Sequence, residues 1–181
     1  MSIVLKNVRL SFPQIWTPKA FTEGQTPKFS CNLLLDKDKD ADLIKMFKGK
    51  IKEAAESGFP NGVPKGIKTC LGDGIEKSYD GYENAMFISC ASTQRPVVID
   101  RDKSALAEED GKIYAGCYVN AAVSLWIQNN QWGKRVNCNL SALQFSKDGD
   151  RFGGGAVEVD KVFDDISSEQ AADAEEDDFL N

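Results

Sequence analysis

Gly116-Cys-Tyr-Val-Asn-Ala-Ala-Val-Ser-Leu-Trp-Ile-Gln128, then Asn129-Asn-Gln-Trp-Gly133, then Lys134-Arg-Val-Asn-Cys-Asn-Leu-Ser-Ala-Leu-Gln-Phe145, reads as two long antiparallel strands joined by a short loop. Cys117, Val119, Ala121, Val123, Leu125 and Ile127 occupy the odd positions of the first strand; Tyr118, Asn120, Ala122, Ser124, Trp126 and Gln128 occupy the even ones. Strand side chains alternate between faces, so the odd set belongs to a core and the even set to an open face. On the return strand Val136, Cys138 and Leu140 share one side, and Arg135, Asn137 and Asn139 the other. The open face of the hairpin thus carries two aromatic rings, an arginine and small polar groups. Such a surface suits a single strand of nucleic acid, which offers each ring a base and each cation a phosphate. The alternative is that a loop or helix covers Tyr118 and Trp126 and makes the sheet a two-sided core.

Working back toward the N-terminus, residues 3 to 12 alternate as a first strand, with Val4, Val8, Leu10 and Phe12 on one face and Pro13 ending the alternation. Phe29, Cys31, Leu33 and Leu35 define a second strand. Lys28 and Trp16 flank this pair and could extend the binding face, or Trp16 could close the core under a loop. A helix is predicted from about Asp40 to Ser57, with Leu43, Ile44, Phe47, Ile51, Ala54 and Ala55 along one side and Gly58 and Pro60 as the stop. Residues 58 to 83 show no sustained period. They include Lys65, Lys68, Lys77, Tyr79 and Tyr82, which suits either an arm over a bound strand or a plain exposed insertion. A third strand, Ala85 to Ala91, places Met86, Ile88 and Cys90 on one side; a short edge strand follows Arg95-Pro96 and leads into Asp100-Arg101-Asp102-Lys103. Beyond the hairpin, Val157, Val159, Val162 and Phe163 predict one last short strand.

Composition narrows the function classes. With 181 residues and 41% hydrophobic content the chain can bury one core. Its apolar runs are too short to cross a bilayer, and the strand pattern starts at once without a signal peptide, so a cytoplasmic protein is expected. Five dispersed cysteines and no histidine disfavour a structural zinc site and remove the commonest general base; no metal, cofactor or catalytic residue is assigned. Asp36, Asp38 and Asp40, or Asp100 and Asp102, leave a carboxylate-dependent Mg2+ nuclease as an alternative. An adaptor that binds only proteins is another.

Charge divides the chain in two. Asp164 to Asn181 holds eight acids and no Lys or Arg, so of the 28 acids 20 remain in residues 1–163, against all 22 basic side chains, a balance of +2. Residues 1–163 are therefore expected to be one domain and 164–181 a disordered acidic tail. Asp177, Asp178 and Phe179 combine negative charge with an apolar group, a pattern that a basic partner groove with an apolar pocket would hold. The same anion could compete with nucleic acid for the chain's own cations.

Taken together, these residues resemble the bacteriophage single-stranded DNA-binding proteins. The motifs are Arg95-Pro-Val-Val-Ile-Asp-Arg-Asp-Lys103, Tyr114-Ala-Gly-Cys-Tyr-Val-Asn120, Gly133-Lys-Arg-Val-Asn137, Leu143-Gln-Phe145 and Arg151-Phe-Gly-Gly-Gly155. The resemblance implies a mainly β fold, an OB-fold-like antiparallel barrel of five or six strands with one α-helix after the second strand. It also implies sequence-independent binding of single-stranded DNA during phage or prophage replication or recombination, in the host cytoplasm. The tail would recruit replication proteins such as a polymerase or primase-helicase, with Phe179 as the terminal aromatic, here followed by Leu180 and Asn181. A homodimer is compatible with it. Strand parity, not the resemblance, nominates the contacts: Tyr118 and Trp126 for stacking; Arg135, Lys134, Arg95, Arg101, Lys103 and Lys28 for phosphates; and Asn120, Asn137, Trp16 and Tyr79 beside them.

Overall fold

The computed structural model describes residues 2–152 together with Asp164, Ile166 and Ser167. The strand expected at 157–163, and the tail residues Asp177, Asp178 and Phe179, lie outside the described residues.

The long hairpin is present as β7 (Tyr118–Asn130) and β8 (Gly133–Lys147). It closes a barrel with β1 (Ile3–Lys19), β2 (Lys28–Asp36) and β5 (Ala85–Ser92), in the cyclic order β1-β2-β5-β8-β7. Four of these pairings are antiparallel, as expected. The fifth, β5 with β8, is parallel, because the chain crosses the barrel between them and re-enters in the same direction. Along its other side β8 also takes β3 (Lys68–Thr69) and β6 (Val97–Ile99), while β4 (Leu71–Asp73) extends β5. The stretch 58–83, which has no sequence period, is thus partly ordered by borrowed pairings: two- and three-residue strands are too short to leave a periodic signal.

The interior is filled by the alternating set. Cys117, just before β7, and Val119, Ala121 and Val123 within it are buried, as are Val136, Cys138 and Leu140 from β8, and Leu33, Leu35, Ile88 and Cys90 from β2 and β5. In β8 the phase then slips. Val123 pairs with Leu140 but Ala122 pairs with Ala142, so Ser141 is an extra residue and Leu143 and Phe145 take over the inward positions. Helix α1 (Ala41–Gly58) lies against β7 and covers one end of the barrel with Ile44, Phe47, Ile51 and Ala55. Its last turn is held close: a Cβ on Gly58 would collide with Ile127.

β1 corrects one face of the sequence reading. Val8 and Leu10 are buried, but Val4 and Phe12 are 54% and 53% exposed. Two bulges are the cause. Leu5 and Val8 pair with Ala121 and Val119, and Ser11 and Gln14 with Asn32 and Ser30, so each interval in β1 holds one residue too many. The extra backbone is absorbed at Asn7 (φ 55°) and Phe12 (φ 46°), and each bulge reverses which residues face inward. Asparagine tolerates this left-handed conformation and its N–H is taken by Asn120 Oδ1 at 2.9 Å. Phenylalanine does not tolerate it readily. Pro13 does not end the strand, which continues to Lys19.

Candidate nucleic-acid interface

On the outer face, Tyr118 lies opposite Arg9 of β1 and Lys147 of β8. Lys147 Nζ stands 4.7 Å from the Tyr118 ring centre and the Arg9 guanidinium 5.7 Å. The same guanidinium covers Phe152 at 4.1 Å, held there by hydrogen bonds from Nε to the Gly116 carbonyl (3.1 Å) and from Nη2 to the Asp150 carbonyl (2.6 Å). Phe152 in turn lines a cleft of about 320 Å³ with Phe12 and Tyr79. Phe12 meets Tyr79 edge-on at 4.8 Å, Tyr79 meets Tyr82 at 5.4 Å, and Tyr82 meets Phe87 of β5 at 5.8 Å. Lys77 Nζ lies 5.7 Å from Phe87, and Arg151 4.3 Å from Tyr114. Cations and rings therefore alternate at the β8, β7 and β1 end, and four successive rings carry the row on to β5, where Lys77 stands against the last of them. Tyr82 anchors the row: it is 1% exposed, donates its hydroxyl to Ser11 Oγ (3.0 Å) and accepts from Asn32 Nδ2 (2.9 Å).

Of the residues nominated from sequence, Tyr118 and Tyr79 fall in this row. Trp126, 45% exposed, sits elsewhere, over β7 and β8, beside its partner Asn137. Arg135 and Lys68 are paired next to it across β8 and β3, so a second, smaller aromatic and basic patch exists there. Asn137 is tied to Gln128 (3.0 Å). Asn120 holds both the Asn7 backbone and Gln144 (3.0 Å), and Gln144 reaches the Arg101 carbonyl (3.3 Å), so these amides brace the sheet and the 100–104 loop. The Arg101 side chain is exposed in that loop, as is Lys103, which adopts φ 71°. Arg95 lies over the half-buried Trp16 at 5.5 Å, and Lys28 pairs with Lys19 where β1 meets β2. Lys134 points the other way from Arg135, toward Phe59 at the end of α1 (6.0 Å).

Parity alone missed Arg9, Phe12, Lys147 and Phe152. Arg9 and Phe12 are hidden behind the bulges, and the other two reach the row only because the chain after β8 folds back over Tyr118. Gly116 (φ 110°) permits that return, since a Cβ there would collide with the Asp150 carbonyl. Phe21 (69% exposed) and Trp132 (80%) also stand free at the β1–β2 and β7–β8 loop tips.

The carboxylates considered for metal chemistry are committed locally. Asp36 Oδ1 accepts from the Asp38 and Lys39 backbones (both 2.9 Å), Asp40 Oδ2 from the Asp36 backbone (2.8 Å), and Asp38 Oδ2 from Asn84 (2.8 Å). Asp100 is salt-bridged to Lys112, and Asp102 bonds the Ser104 hydroxyl. These bonds hold Asp36, Asp100 and Asp102 below the ordinary carboxylate value: Asp36 chiefly through the Lys39 amide, Asp100 through Lys112, and Asp102 through Ser104. Among the described residues no group of three acids, cysteines or histidines could hold a metal ion. The five cysteines are buried and free; Cys31, Cys90 and Cys138 stand in register across β2, β5 and β8. Hydrogen bonding with Cys138 and then with Cys31, followed by burial, pushes the Cys90 thiol well up, so it packs as a neutral group. No helix among the described residues is long and apolar enough to cross a membrane.

Residues 1–180 match a protein-family model described as the ssDNA-binding protein of Enterobacter phage Enc34. The chain is 38% identical to putative protein p50 of Acyrthosiphon pisum secondary endosymbiont phage 1, over 99% of both chains. It is similar to the single-stranded DNA-binding protein from bacteriophage Enc34 solved in complex with ssDNA, at 30% identity and a TM-score of 0.76, covering 84% of this chain and 89% of that one. It also shares its fold with gp2.5 of bacteriophage T7, a single-stranded DNA-binding protein, at 13% identity and a TM-score of 0.57, covering 94% and 99%.

Proposed function

The chain belongs to the family of the Enterobacter phage Enc34 ssDNA-binding protein, and from that premise we propose that it binds single-stranded DNA without sequence preference and performs no catalysis. The observation that carries this reading is the alternation Lys147–Tyr118–Arg9–Phe152 running into the Phe12, Tyr79, Tyr82 and Phe87 rings. Rings offer stacking to any base, and the interleaved cations meet the backbone that connects them. Clustering also answers the weak net charge of residues 1–163: what a phosphate meets is the local field. Trp126, Asn137, Arg135 and Lys68 extend the surface across β8, with Arg95, Arg101, Lys103, Lys28, Trp16 and Asn120 around it and Lys134 at its margin.

In this reading residues 1–163 form the DNA-binding unit, and the protein protects single strands during replication or recombination of a phage or prophage genome, in the host cytoplasm. The acidic segment 164–181 recruits replication proteins through Asp177, Asp178 and Phe179 and competes with DNA for the cationic row. A nuclease is disfavoured, since its candidate carboxylates are taken up by turns and a lysine.

The test is fluorescence anisotropy and gel shift with single-stranded and duplex oligonucleotides, with and without Mg2+. Single strands should bind far more tightly and survive incubation with Mg2+. Equal affinity for duplex, or loss of the strand over time, would refute the reading.

A further inference from the structure

We propose that Cys90 and Cys138 form an oxidation site, at which a hydroperoxide converts the two thiols into a disulfide that ties β5 to β8 where the barrel closes. β5 and β8 share register only at Cys90–Cys138 and Ala91–Asn139, whereas β2 and β5 are paired all the way from Phe29–Ser92 to Asp36–Ala85. On one side of this short seam the two strands part and the segment 68–73 enters the fork. There β3 pairs with β8 at Arg135 and Val136, β4 pairs with β5 from Met86 to Ile88, and Cys70 lies between them, its carbonyl accepting the Ser89 N–H (2.9 Å). On the other side β6 takes over β8 from Ala142 onward. The seam is thus the shortest join in the barrel, and the thiol pair sits on it.

Both side chains face the interior, and Cys90 Sγ donates to Cys138 Sγ at 3.6 Å. Neighbouring strands stand about 4.7–4.9 Å apart, within the roughly 4.4–6.8 Å that a disulfide spans between Cα atoms, so rotation of two side chains brings the sulfurs together without moving the sheet. Cys70 bonds Cys138 and Cys31 bonds Cys90, so four of the five thiols meet at the seam. Hydrogen bonding with Cys70 and then Cys90 lowers the Cys138 thiol although burial opposes it, which makes its sulfur the nucleophile, with Cys90 still protonated beside it. The seam is also the way in, since a join this short opens locally at small cost and admits a small peroxide. The Cys138 sulfur attacks one oxygen of hydrogen peroxide; an S–O bond forms as the O–O bond breaks, and the departing hydroxide takes up the proton that Cys138 released. The Cys90 sulfur then attacks the Cys138 sulfur. The S–S bond forms, the S–O bond breaks, and the leaving oxygen carries off the Cys90 proton as water, so the two thiols lose two electrons and one peroxide becomes two waters.

The test treats the folded, reduced full chain with a small excess of hydrogen peroxide, alkylates the remaining thiols, maps peptides without reductant and melts the product. Two of the five thiols should disappear into a linked Cys90–Cys138 peptide, and a reductant should restore both. The oxidised chain should melt about 5–15 °C higher, because a loop of roughly 50 residues is closed across the seam. Cys90→Ala and Cys138→Ala should each abolish that rise, and Cys117→Ala should keep it. The site is overturned if all five thiols stay free at a peroxide exposure that oxidises added glutathione, or if the bond joins Cys31 to Cys90, Cys70 to Cys138, or two chains. It is equally overturned if Cys138 goes on to the sulfinic acid unlinked, or if the linked chain melts no higher than the reduced one. The peptide map is read on the parent chain, so it decides the matter even where a variant fails to fold.

Discussion

Three cations stand against the aromatic row, Lys147, Arg9 and Lys77, and a fourth, Arg151, against Tyr114, and their number predicts how binding responds to salt. If each neutralises one phosphate, log affinity falls against log salt with a slope of about −0.7 per contact, about −2.8 in all. Raising the salt from about 50 to 200 mM then weakens binding about 50-fold. Lys147 is the contact to remove. It is exposed and its described contact is the face of Tyr118, so Lys147→Gln should fold normally. One phosphate fewer leaves a slope of about −2.1, and the same salt step then costs about 18-fold. Anisotropy of a labelled oligo-dT strand over a KCl series measures both slopes. A parent slope shallower than about −1 would refute the cationic row as the binding surface, and an unchanged slope in Lys147→Gln would remove Lys147 from it.

Trp126→Ala should weaken single-strand binding about 5- to 150-fold while moving the thermal midpoint little, whereas Tyr118→Ala, whose half-buried ring lies under the 148–152 return, should lower the midpoint as well as the affinity; a loss of affinity for Tyr118→Ala with none for Trp126→Ala would confine the strand to the row over β1, β2 and β5. Leu143→Ala, at a fully enclosed interior position, should destabilise by about 2–5 kcal/mol in denaturant melts, with the DNA affinity of the folded fraction retained. Gly116→Ala should lower the midpoint and weaken binding together, because the 148–152 return that carries Phe152 must shift. Asp36, Asp73, Asp100 and Asp102 all lie below the ordinary value of 3.8 in the folded chain, so what they contribute to stability is complete above that pH and disappears as acid protonates them in the folded state. A thermal midpoint still rising between pH 5 and 7 would have to come from other groups. Deleting residues 164–181 should tighten binding at low salt and matter less at high salt, and an affinity unchanged at low salt would refute competition by the tail.

Much of the barrel is legible along the chain. A hairpin with period two over Cys117–Leu140 and a helix with a clean apolar stripe and a Gly-Pro stop are local patterns, and local stereochemistry sets them whatever the surroundings. The inward residues of β2, β5 and β7 follow directly, and so does the exposure of Trp126. Other features are set by distance in sequence. The parallel β5–β8 closure, the pairing of β3 and β6 on β8, and the ordering of 58–83 all depend on partners that no single stretch announces.

The candidate interface depends on tertiary structure most of all. One extra residue reverses strand parity, and the bulges at Asn7 and Phe12 leave no compositional mark, so Val4 and Phe12 read as sharing a face with Val8 and Leu10 when they lie outside. Ser141 does the same to β8. Arg9, Tyr118, Lys147 and Phe152 are scattered over more than 140 positions, and only sheet closure and the turn at Gly116 bring them into one row. The amino-acid order by itself determined which strands and helix form, because period and punctuation act over a few residues. Which aromatic rings share a surface was decided by bulges and long-range register, because these act between segments that meet only in the folded chain.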